Sequence, residues 1–80
     1  MDVEFEAALP GFRNIRSYII CGISHSQIHI SGLSSNIRKP GFIADIYVNR
    51  RTQEVSIARI DTSDNKTLNA ILRVVSRFQF

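Results

Sequence analysis

Residues 42 to 61, FIADIYVNRRTQEVSIARID, carry the most regular polarity pattern in the chain. Phe42, Ala44, Ile46 and Val48 fall on one face of an extended strand, with Asp45, Tyr47 and Asn49 on the other. Arg50, Arg51, Thr52 and Gln53 form a polar turn, and the chain returns with Val55 and Ile57 on one face and Glu54 and Ser56 on the other. A turn centred between Arg51 and Thr52 sets Val48 opposite Val55 and Ile46 opposite Ile57, both pairs on the buried face of a hairpin. The turn holds no glycine, so its type stays open. Further from the turn, Ala58 and Ile60 replace Ile57 and Arg59 as the apolar set, and Ile43 joins the outer face. A bulge accounts for this flip, as does a cover over the second face at that end.

Residues 1 to 9, MDVEFEAAL, alternate with period two, which predicts an N-terminal strand with Asp2, Glu4 and Glu6 on its outer face. Pro10-Gly11 turns the chain. Residues 12 to 24 mix signals. Phe12, Ile15, Ile19 and Ile23 keep roughly helical spacing, whereas Tyr18-Ile19-Ile20 and Gly22 favour a strand, expected from about Arg16 to Ser24. Ser24-His25-Ser26 reads as a turn and 27 to 33 as a returning strand, with Ile28 and Ile30 inward and His29 and Ser31 outward. Residues 32 to 41, GLSSNIRKPG, read as a loop. Asp61 to Asp64 offers helix caps. Leu68, Ile71, Leu72, Val75 and Phe78 then recur at helical spacing, predicting an amphipathic helix from about Asn65 to Phe78 with Asn69, Arg73, Ser76 and Arg77 outside.

These elements predict a single α+β domain over residues 1 to 80: an antiparallel sheet of four or five strands, two hairpins plus the N-terminal strand, with one C-terminal helix on one face. Nothing in the chain covers the other face, where Tyr18, Ile43 and Tyr47 lie. That face has to tolerate water or meet a second molecule, and a homodimer through it is one expectation.

Composition narrows the class. The chain is 44% hydrophobic and 21% charged, an ordinary globular balance. It has no membrane-length apolar run. The acidic start and a single cysteine lead to the expectation of a cytoplasmic protein without disulfides. Ten basic residues outweigh seven acidic ones, for a net charge of +3, and eight of the ten are arginine. Arginine serves phosphate and protein interfaces alike.

Catalytic chemistry finds little footing. Cys21, His25 and His29 fall short of a metal set and read as a buried strand cysteine with two surface histidines. There is no Gly-x-Ser-x-Gly elbow and no glycine-rich phosphate loop, the glycines standing apart at 11, 22, 32 and 41. No enzyme, cofactor or metal is therefore expected. What remains is the basic set: Arg50 and Arg51 at the hairpin tip, Arg38 and Lys39 on the preceding loop, and Arg73 and Arg77 on the outer helix face. Tyr47 on the outer sheet face joins them as the expected partner-binding set. In type, though not in sequence, such a chain resembles the compact single-domain inhibitors carried by phages and other mobile elements, including those that block nucleic-acid-processing machinery. The expectation is a small regulator or inhibitor that docks on another protein. The alternative is direct DNA or RNA binding by the same residues.

Overall fold

A computed structural model describes every residue except Ser63 and Gln79. The element order is α1 (Asp2–Ala8), β1 (Phe12–Cys21), β2 (His25–Ser34), β3 (Phe42–Asn49), β4 (Val55–Asp61) and α2 (Asn65–Val75). The four strands form one antiparallel sheet in the order β1-β2-β3-β4, a simple meander. The protein is thus an α+β fold with both helices on one face of a four-stranded sheet.

The central hairpin follows its polarity pattern. Phe42, Ala44, Ile46 and Val48 are buried, and Val48 pairs with Val55 and Ile46 with Ile57. The flip further along is a bulge. Asp45 pairs with Arg59 directly after Ile46 pairs with Ile57, so Ala58 is the additional residue and Ile60 returns to the inner face opposite Ala44. The tip is built by Asn49, whose Oδ1 accepts from the amides of Arg51 at 2.9 Å and Thr52 at 3.1 Å. Gln53 closes the turn in the left-handed region at φ 61°.

The N-terminal segment departs from the expected strand and is the helix α1. Its apolar residues satisfy both periods. Met1, Phe5, Ala8 and Leu9 fall on one helical stripe, with Phe5 and Leu9 buried, whereas Val3 is 74% exposed. Glu and Ala are weak strand formers and good helix formers. Asp2 and Glu4 occupy the first turn, where the helix dipole favours them. The decisive term is tertiary: the inner face of the sheet near Ile15 needs a cover, and Phe5 supplies it. The sheet therefore has four strands, without an N-terminal one.

β1 runs from Phe12 to Cys21, earlier than the expected Arg16 start. A bulge between Arg13 and Arg16, with Asn14 at φ 52°, lets Ile15 turn inward. The β1–β2 turn is Gly22 to Ser24, two residues before the expected position, so His25 belongs to β2. Cys21, expected to be buried, is exposed at the end of β1. β2 extends to Ser34 and shortens the loop expected over 32 to 41. Within it, Gly32 admits the Phe42 ring. A Cβ there would stand 2.7 Å from that ring and 3.2 Å from Ile15.

α2 starts at an Asp64 cap, whose Oδ1 accepts from the Thr67 amide at 2.7 Å. It ends at Val75, one turn before the expected Phe78. Its buried stripe is Thr67, Ala70, Ile71, Val74 and Val75; Leu68 and Leu72 are only half-buried. The stripe is rotated because α2 packs against α1 as well as the sheet. Among the described residues no helix is long and apolar enough to cross a membrane.

The helical stripe of α1 is testable by a contrast between neighbours. Phe5→Ala is expected to lower unfolding free energy by about 3–5 kcal/mol, and Val3→Ala to change it by less than about 0.5 kcal/mol. A strand would place both on the same face and give both large effects. Urea denaturation followed by circular dichroism measures the two values.

Candidate functional site

With both helices on the inner face, the outer face of the sheet is open. Strand register sorts its side chains into rows that cross all four strands. The middle row is Tyr18, His29, Asp45 and Arg59. Toward the hairpin tip lies the row Ile20, Gln27, Tyr47 and Ser56. Toward the other end lies Arg16, Ser31, Ile43 and Asp61. Residues in a row are direct cross-strand neighbours, close enough for their side chains to interact.

The middle row is tightly coupled. The Tyr18 and His29 rings stack, with centroids 4.8 Å apart and planes 18° from parallel. His29 Nδ1 lies 2.8 Å from Asp45 Oδ1, and Gln27 Nε2 donates to the same oxygen at 3.3 Å. The His29 hydrogen bond holds the Asp45 carboxyl below its usual range. Gln27 and the charges of His29 and Arg59 act in the same direction, and partial burial opposes them. Beside the row, the His25 ring meets Tyr47 edge-on at 6.4 Å. Four side chains from three strands are thereby fixed in place, which removes much of the entropy a docking partner would otherwise have to quench.

Around this polar centre the face is apolar. Tyr18 and Ile20 are each 53% exposed and Leu33 50%, with Tyr47 at 37%. The charges are nearly balanced: Arg13, Arg16 and Arg59 stand against Asp45 and Asp61.

The expected partner-binding residues do not form one surface. Tyr47 lies on the outer face, where expected. Arg50 is bound within the chain: its Nη1 donates to the Gly22 carbonyl at 2.7 Å and its Nε to the Phe80 carbonyl at 3.2 Å. It clasps the hairpin tip to the neighbouring turn and to the chain end. Arg51 is exposed at the same tip. Arg38 and Lys39 occupy the loop at the opposite end of β3, a strand of eight residues, so roughly 25 Å separates them from the tip. Arg73 and Arg77 are exposed on the helix side, away from Tyr47.

The residues missed on sequence grounds are His29, Asp45 and Arg59, with Tyr18 and Ile20 beside them. Asp45 and Arg59 were separable only once Ala58 was identified as a bulge. The β1–β2 register carries no turn signature, so nothing in that stretch shows Tyr18 facing His29. Among the described residues no three His, Cys, Asp or Glu side chains converge as a metal set. Comparison with known proteins returns no matching family model, no matching curated protein and no matching solved structure.

The depressed Asp45 value has a definite sign. Its contribution to stability is full above the ordinary aspartate value of about 4 and is lost as pH falls through the depressed one. His29→Phe keeps a ring against Tyr18 and removes the hydrogen bond. The stability gap between wild type and His29→Phe is expected to be present at neutral pH and to shrink below about pH 4. Thermal unfolding across a pH series measures it.

Proposed function

We propose that the chain is a small, non-enzymatic binding protein, a regulator or inhibitor that docks on another protein through the outer face of its sheet. One observation carries this reading. The face left open by both helices holds exposed Tyr18, Ile20, Leu33 and Tyr47 around a polar centre whose groups are already paired. Aromatic anchors held rigid over a flat surface are what protein interfaces concentrate their affinity on. The polar centre adds direction. Asp45 already holds two hydrogen bonds to one oxygen, and the Arg59 guanidinium beside it favours a partner carboxylate. The site supplies shape and hydrogen bonding on an open surface.

Direct nucleic-acid binding is the second reading, favoured by the Tyr18–His29 stack with Arg16 and Arg59 nearby, an arrangement on which bases can stack. Charge decides between them. Phosphate binding calls for a marked surplus of cations on the contact face, and here Asp45 and Asp61 offset two of its three arginines, Arg13, Arg16 and Arg59. The remaining cations are dispersed to both ends and to the helix side. The balance therefore supports a protein partner, such as a component of nucleic-acid-processing machinery, over the nucleic acid itself.

The test uses the tagged full chain in extract of its host, with captured proteins purified and the interaction remeasured by calorimetry. Tyr18→Glu is expected to weaken binding by at least about a hundredfold, on the scale of an interface hot spot. Arg73→Glu/Arg77→Glu is expected to change it less than threefold, as for charges at a rim or outside the contact. Binding lost in the helix variant and kept in Tyr18→Glu would move the site off the sheet. Mobility shift of mixed DNA and RNA at low salt, abolished steeply as salt rises, would establish the nucleic-acid reading instead.

A further inference from the structure

The helices cover β4 least of the four strands: the end of α2 comes near it where Val75 lines a cleft with Val55, Phe78 and Phe80, and the strand stays open beyond that. All seven of its residues are exposed, including the three apolar ones on its inner face: Val55 at 38%, Ile57 at 42% and Ile60 at 37%. β4 is also an edge strand, with backbone groups unpaired on its free side. Natural edges are usually guarded by a lysine, a proline, an inward charge or a bulge; β4 has no lysine or proline and its charges, Arg59 and Asp61, point outward, so the bulge at Ala58 is the one such guard it carries. β1, the other edge, differs in that α1 packs on it.

We propose that β4 is a dimer edge, on which a second copy of this chain pairs its own β4 antiparallel about a twofold axis beside Ile57. The spacing of the apolar stripe is what selects a second copy. Val55 stands two residues before Ile57 and Ile60 three after it, and the bulge at Ala58 absorbs the additional residue. In sheet positions the stripe is therefore symmetric about Ile57. Antiparallel pairing about that centre sets Val55 of each copy opposite Ile60 of the other and Ile57 opposite itself. Every inner residue finds an inner partner, which a one-residue slip in register would destroy. A twofold normal to the sheet keeps the four helices on one side and makes one sheet of eight strands.

On the outer face the charges do not select the pairing. Ser56 falls opposite Arg59 of the other copy, and Arg59 then lies diagonal both to Glu54, which precedes the strand, and to Arg59 of the other copy. Glu54 faces Asp61 only at the frayed ends of the ladder, with an arginine beside them. An isologous contact of this kind closes as a dimer and leaves no growing edge at β4. The two outer faces become one continuous surface, so the dimer carries two copies of the docking face.

Sedimentation equilibrium of the full chain is expected to show a concentration-dependent dimer. Ile57 is already half-exposed, so Ile57→Glu is expected to fold with an unchanged far-ultraviolet spectrum and to weaken the dimer by at least about a hundredfold, because two carboxylates would meet at the axis. Tyr18→Glu, on the outer face, is expected to leave the dimer intact, so the dimer and the docking reading can fail separately. The register is read by cysteines in a Cys21→Ser background. Ile57→Cys brings two thiols within disulfide range across the axis and is expected to crosslink rapidly, whereas Arg59→Cys faces Ser56 and crosslinks slowly. A monomer at hundreds of micromolar, a dimer unaffected by Ile57→Glu, or faster crosslinking at 59 than at 57 would each overturn the proposal.

Discussion

The burial of one face of β3 is the constraint on which the rest depends. Phe42, Ala44, Ile46 and Val48 are all nearly inaccessible, and they lie between β2 and β4 beneath the helices. A strand whose inner face is wholly apolar tolerates no slip, because a shift of one residue would send Asp45 and Tyr47 inward. Fixing β3 fixes its neighbours. Ile28 and Ile30 are held opposite Ile46 and Ala44, and the outer rows are then set by the pleat alone. The face that contacts nothing in the domain is thus ordered by the face that contacts everything.

The helices explain how the two faces and the two edges differ. Two short helices cannot roof four strands. Phe5 of α1 and Leu9 just after it join Ile71, Val74 and Val75 of α2 over the inner face, and β4 is left largely outside that cover. A chain of 80 residues has little area to spare, and a small domain buries only about 60% of its unfolded surface. An uncovered apolar stripe on β4 is a cost in so small a fold unless something else buries it. The bulge at Ala58 bears on both surfaces at once. It returns Ile60 to the stripe on the inner face and brings Arg59 beside Asp45 on the outer one.

On the outer face, polar groups are satisfied within the domain before any partner arrives. Asp45 accepts from His29 and Gln27, and the His29 ring is stacked by Tyr18. Arg50 likewise serves the fold, tying the hairpin tip to the Gly22 carbonyl and to Phe80. Clustered arginines in a sequence do not distinguish a clasp from a contact, since the same fork geometry suits backbone carbonyls and a partner's carboxylates.

Alternation over 42 to 57 determined the central hairpin and its pairing, because period-two burial on one face admits a single register. The spacing of Leu68, Ile71 and Val75 likewise determined a helix, and the absence of apolar cover on the outer face was legible from the scarcity of elements to provide it. The N-terminal segment was decided by tertiary structure. Its apolar residues fit a strand and a helix alike, and only the demand for Phe5 over Ile15 and the inner sheet separates the two. Tertiary structure also decided the working surface. Tyr18, His29, Asp45 and Arg59 are spread over four strands, and their row exists only through the bulge at Ala58 and a β1–β2 register that carry no local signature. Local patterns report which way a side chain faces. Which side chains meet depends on long-range pairing, and that is a property of the assembled sheet.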